Sequence, residues 1–146
     1  MKKLFVLAVT LTVAVVVGLV AFGAAQASAS SAPIVITYTK TCEPAKGHCA
    51  GTTGDGAKLE MQITDFRATG KAAQLTLTES ITVRGAVWFT AVMEGHVSPA
   101  GFIVLNGTVT AGPYAGAQVH QRSNLMGGDA TTTDWIGELR IMPASA

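Results

Sequence analysis

The chain has almost no surplus of positive charge. Its 146 residues hold 10 lysines and arginines against 9 aspartates and glutamates. Nucleic-acid and anionic-membrane binders need a basic surface, and this balance excludes both. Cysteine is scarce, with two in the whole sequence. No Cys-x-x-Cys pair points to redox work, no histidine follows a cysteine pair to mark haem attachment, and no cysteine offers a lipid-modified N-terminus. A Gly-x-Ser-x-Gly elbow, a phosphate-cradling glycine loop and a His-Glu-x-x-His zinc signature are all missing, as is an evident Ser, His and Asp set. The sequence therefore announces no enzyme class and calls for no cofactor and no metal.

What stands at the N-terminus is an address. Lys2 and Lys3 precede an uncharged, mostly apolar run from Leu4 to Ala25, followed by Ala25-Gln26-Ala27 and Ala27-Ser28-Ala29. Small-x-small sites of this kind are where a signal peptide is cut. The run is long enough to remain as a membrane anchor, but Gly18, Gly23 and the paired sites favour cleavage after Ala29. Residues 1–29 are thus read as a signal peptide and residues 30–146 as one domain, secreted, periplasmic or held at the cell surface. That domain has 117 residues, 8 basic and 9 acidic, a single domain of ordinary size with no membrane contact once the leader is gone. The oxidising exterior favours a disulfide between Cys42 and Cys49, with Pro44 and Gly47 turning the chain between them.

Beyond the leader no helical period is sustained, whereas alternation at period two recurs and breaks at turn residues. Strands are expected over Ile34 to Thr41, around Leu59-Met61-Ile63, over Leu75 to Arg84, Val87 to Met93, Phe102 to Thr110, Ala117 to Leu125 and Thr133 to Met142. That makes seven, with an eighth if a long one bends. The separators, such as Thr69-Gly70-Lys71 and Ala111-Gly112-Pro113, are too short for crossover helices, so the sheet is expected to be an antiparallel meander. An all-β chain of this length buries one face by closing into a small barrel; a β-sandwich is the alternative.

In the C-terminal half, Gly112, Tyr114, Gly116 and Ala117 form a Gly-x-Tyr-x-Gly-Ala turn. A polar strand and then Asp134-Trp135-Ile136-Gly137-Glu138-Leu139 follow it. This arrangement resembles the end of a dirigent or allene oxide cyclase type β-barrel. The resemblance implies an eight-stranded barrel whose lumen holds a hydrophobic small molecule, commonly in a homo-trimer. Plant members cyclise a fatty-acid epoxide or steer phenoxy-radical coupling, and the bacterial character of the leader argues against those two reactions. The matching motif is structural, with Gly112 free to take a positive φ and Tyr114 placed to plug the barrel end.

Glu79 is the most informative polar residue. It shares parity with Leu75, Leu77, Ile81 and Val83, so an unbroken strand points its carboxylate into the apolar interior and raises its pKa toward neutrality. A β-bulge at Glu79-Ser80 would instead return it to solvent. Arg122 and Asn106 are candidate electrostatic helpers for such a carboxylate. Trp88, Phe102, Tyr114 and His120 are candidate ligand-lining residues, with core packing as the alternative for the aromatics. Glu94 and His96, like His120, Arg122 and Asn124, read as outer-face residues paired across hairpins, since no spacing specifies a metal.

Three functions fit. The first is a secreted barrel that binds a small apolar or amphipathic ligand. The second, implied by the resemblance, is a cofactor-independent isomerase or cyclase of allene oxide cyclase type using Glu79 as acid or base. The third is an extracellular interaction or inhibitor module acting through loops such as Cys42 to Gly56.

Overall fold

A computed structural model describes residues 32–143. The leader expected over residues 1–29 lies outside the described residues. The strands are β1 (Ile34–Glu43), β2 (His48–Thr53), β3 (Lys58–Thr69), β4 (Ala72–Val83), β5 (Ala86–Val97), β6 (Phe102–Ala111), β7 (Gln118–Gly128) and β8 (Thr133–Met142), with one 3-10 turn at Pro44–Lys46. Each pairs antiparallel with the next, and β8 returns to pair with β1 from Ile34↔Ile141 to Cys42↔Thr133. The sheet is therefore a closed barrel, and the sandwich alternative is not adopted.

Closure follows from the alternation. On β4 the inward residues Ala73, Leu75, Leu77, Glu79 and Ile81 are buried while the residues between them are partly exposed. Leu59 and Met61 on β3, Phe89, Ala91 and Met93 on β5, Leu105 and Val109 on β6 and Leu139 and Ile141 on β8 fill the same lumen. An eight-stranded barrel is just wide enough for such side chains to meet at its axis, and closing it removes the sheet edges.

The eighth strand does not come from a bend in a long one. It is β2, which lies within the segment expected to be a loop. Cys42 and Cys49 are direct cross-strand partners of β1 and β2 and form a disulfide. The disulfide thus ties two paired strands at their turn, which Pro44 opens and Gly47, at φ +61°, closes.

The ladder shifts register at four places, two of them on β4. The β3·β4 register shifts between Ile63 and Asp65, and the β4·β5 register shifts between Ile81 and Thr82. The second leaves Trp88 unpaired between Phe89 and Val87 and swings its ring onto the barrel end. Gly112 lies close by at φ +102°, and a Cβ there would run into the Trp88 carbonyl oxygen. The Gly112-Pro113-Tyr114 turn needs glycine for both reasons. Tyr114 packs edge-on against Trp88 with ring centroids 5.7 Å apart, so an aromatic pair covers part of this mouth.

Candidate functional site

A polar layer crosses the middle of the lumen. From β1 come Tyr38 and Lys40, from β4 Glu79, and from β7 Gln121 and Ser123, all buried. Alternation alone sends them inward: Lys40 shares the parity of Tyr38 and Cys42, and Gln121 and Ser123 share that of Val119. Glu79 sits in an unbroken stretch of β4, paired with Met61 on one side and Ala91 on the other. The bulge that would have turned it to solvent is absent at that position, and its exposure is 0%.

The groups contact one another across the barrel. Gln121 Nε2 donates to Glu79 Oε2 at 2.8 Å, joining strands three apart in the sheet. The Tyr38 hydroxyl and Ser123 Oγ are 2.6 Å apart. Lys40 Nζ donates to Met61 Sδ at 3.1 Å and lies 5.3 Å from the centroid of the Tyr38 ring. A thioether and a ring face are weak partners for an ammonium, and none of the ion pairs among the described residues includes Lys40 or Glu79.

Burial sets the charge chemistry. Desolvation pushes the Glu79 carboxyl up to about 7, against the opposing pull of the Lys40 charge and the Gln121 hydrogen bond. Desolvation likewise brings the Lys40 ammonium down to about 8, with the Glu79 charge opposing. The Tyr38 hydroxyl is raised, first by burial and then by the Glu79 charge. A carboxyl near 7 beside an amine near 8 can hold or release a proton close to neutral pH.

Above this layer, at the end where β1 begins and β8 finishes, an open cleft of about 500 Å³ is lined by Ile34, Ile36, Ala57, Ile81, Val83 and Trp88, together with the polar Thr37, Thr53 and Asp55. Ile81 is its floor and stands one inward position from Glu79 on β4. The cleft and the polar layer are thus successive levels of one barrel.

Only some of the expected residues meet here. Glu79 lies in the polar layer, and Trp88 and Tyr114 lie at the mouth. Arg122 points outward, as do Asn106 and His120, which pair across β6 and β7 with His120 Nδ1 2.6 Å from Asn106 Oδ1. Neither Arg122 nor Asn106 assists Glu79, because on a closed barrel alternate residues of one strand face opposite sides of the wall. Arg122 touches the interior only through its carbonyl oxygen, which accepts from Tyr38 at 3.4 Å. Phe102 is half exposed on the outer face, away from the lumen. A polar cleft on that outer face gathers Asp65, Gln74, Glu94, His96 and Asn106. Among the described residues no group of three His, Cys, Asp or Glu side chains is placed to hold a metal ion.

The other four members of the layer, Tyr38, Lys40, Gln121 and Ser123, were not singled out by sequence reasoning. The available signal was parity, since each lies two or four positions from a buried neighbour on its own strand. Among the described residues no helix is long and apolar enough to cross a membrane. Comparison of the chain with protein-family models, with curated proteins and with solved structures returns no match.

Proposed function

We propose that this chain is an exported barrel that binds one small, largely apolar ligand in the mouth floored by Ile81. The carrying observation is the cleft itself. Its size suits a small molecule, and its lining is mainly aliphatic with one tryptophan, with Thr37, Thr53 and Asp55 as the polar members. The leader with its two cleavage sites and the Cys42–Cys49 disulfide support export. The resemblance of the Gly112 to Ala117 turn to the dirigent and allene oxide cyclase type barrels supports a ligand-holding role.

Trp88 lines the cleft, whereas Trp135 sits toward the disulfide end with its indole N–H donating to Thr133. In a Trp135→Phe variant the remaining emission reports on the mouth. Titration with an anilinonaphthalene dye is expected to quench it saturably, at one dye per domain. Val83→Asp, at a partly exposed rim position, is expected to weaken binding at least tenfold. Unsaturable quenching, or binding indifferent to Val83→Asp, removes the proposal.

A second reading, a cofactor-independent isomerase or cyclase, is favoured by Glu79, whose carboxyl near 7 suits proton transfer. It requires substrate to pass Ile81. Under it Glu79→Gln abolishes turnover while dye binding persists. An interaction module would act through the two turns of the Cys42 to Gly56 segment, which flank the short strand His48–Thr53.

A further inference from the structure

Among the described residues, two buried side-chain atoms have no hydrogen-bond partner: Glu79 Oε1 and Gln121 Oε1. They belong to the two groups that already share the 2.8 Å contact from Gln121 Nε2 to Glu79 Oε2. With the carboxyl ionised both orphans are acceptors, and neither can satisfy the other. An unmet acceptor at zero exposure is strongly disfavoured, and two in one contact pair call for a common cause.

We infer that the lumen is a proton-binding site: Glu79 carries a proton on Oε1 and donates it to Gln121 Oε1, closing a two-point acid–amide pair across the barrel. One hydrogen satisfies both orphan atoms. A carboxylic acid and a primary amide are both planar and each offers one donor and one acceptor along the shared edge, so the two contacts form together. The proton comes from solvent and returns to it; no other bond changes.

The surroundings define what the proton does. The strands flanking β4 present Met61 and Ala91 opposite Glu79, neither titratable. From β7 it faces Gln121. From β1 it faces Lys40, the one cation of the layer, and Tyr38, whose phenol stays neutral at these pH values. Glu138, on β8, bears on Tyr38 rather than on Glu79. Loss of the proton leaves Oε1 as a carboxylate oxygen that an amide oxygen cannot serve, and beyond the Gln121 Nε2 hydrogen bond Lys40 is the charge that compensates it. The lumen therefore has two arrangements, an acid–amide pair beside a Lys40 ammonium held on Met61, and a Lys40–Glu79 ion pair. This holds whether or not the mouth takes a ligand.

Infrared spectroscopy of the intact domain reads the proton directly. At about pH 6 ordinary aspartates and glutamates are ionised, so a carboxylic-acid C=O band there belongs to a perturbed group. The band is expected in the wild type, to fade as the pH passes through about 7, and to be missing from Glu79→Gln. Absence of the band from the wild type, or its persistence in the variant, overturns the inference. Glu79→Gln supplies a second test, because an amide–amide pair preserves both contacts. Its melting midpoint at that pH is expected within about 5 °C of the wild type. If Glu79 served there as the ionised partner of Lys40, the substitution would strand a buried ammonium. A larger loss, or failure to fold, then overturns the inference as well.

Discussion

The Tyr38 hydroxyl lies 2.6 Å from Ser123 Oγ although their strands are not neighbours. β8 runs between them, and the position it presents to both is Gly137, the register partner of Tyr38 on one side and of Ser123 on the other. A Cβ at Gly137 would lie 2.5 Å from the Tyr38 hydroxyl oxygen and would also meet the Arg122 carbonyl. The ring thus covers a glycine that the barrel wall leaves bare, a pairing that also pins strand register.

Gly137→Ala is accordingly expected to destabilise the domain by about 2–4 kcal/mol, since one of the colliding groups is backbone and cannot move aside. Tyr38→Phe keeps the cover but strands the Ser123 hydroxyl, a loss of about 1–2 kcal/mol. Adding Ser123→Ala to Tyr38→Phe is expected to recover part of it. Urea unfolding of the two single variants and the double one measures the coupling, and strict additivity would show that the hydroxyl pair contributes nothing.

Stability is expected to pass through a minimum between about pH 7 and pH 8. Glu79 has a folded value of about 7 against 4.5 ordinarily, so between these the folded domain holds more protons than the unfolded chain and stability falls as pH rises. Lys40 has about 8 against 10.5 ordinarily, so over that interval the unfolded chain holds more protons and stability rises with pH. Asp129, drawn down to about 2 by the Thr131 hydroxyl and neighbouring amides, adds stability that is lost only in strong acid. Urea midpoints measured across pH check this. A broad maximum at neutral pH, the usual pattern, would contradict the charge assignment of the lumen.

The disulfide is expected to matter through the unfolded chain. Cys42 and Cys49 are seven residues apart, and closing so short a loop contributes about 2–3 kcal/mol in the chain-entropy picture. Both are buried against the core, so Cys42→Ala with Cys49→Ala is the fitting test and serine is not. Loss well beyond that range would mean that β2 no longer pairs with β1, which circular dichroism would register as lost strand.

Period-two alternation made the barrel legible because in a closed antiparallel sheet every strand has one wet and one dry face. Glu79 was legible for the same reason: it interrupts an apolar series without breaking its parity. β2 was hidden, because His48–Thr53 carries no large aliphatic residue. Its Gly51 is demanded by the partner strand, where a Cβ would lie 2.7 Å from the Lys40 Cα. Lys40, Gln121 and Ser123 have the composition of surface residues; their parity sends them inward, but what brings Gln121 to Glu79 is the meeting of β4 with β7 across the lumen. That meeting joins residues 42 apart in sequence and depends on barrel closure. The position of Trp88 depends on a register shift between β4 and β5 that no local pattern marks.

Lys40 separates the two charges of the lumen most cleanly. Methionine matches the length of its buried stem and lacks the ammonium whose desolvation Met61 and the Tyr38 ring answer only weakly. Below about pH 8 the folded domain bears the burden of that charge, and above 10.5 neither state does. Lys40→Met is therefore expected to stabilise the domain at pH values below about 7, where Glu79 is neutral and needs no counter-charge, and to abolish the rise in stability above pH 8. Removing the positive charge also removes the main pull that lowers the Glu79 value, so the carboxyl is expected to titrate above its present value of about 7. The two effects have opposite pH dependence: the variant gains in acid and loses its advantage as Glu79 ionises unaccompanied. Thermal midpoints of the variant and the wild type at about pH 5 and pH 9 read both effects. A variant that is less stable at both would mean that the Lys40 ammonium holds the barrel together rather than opposing its burial.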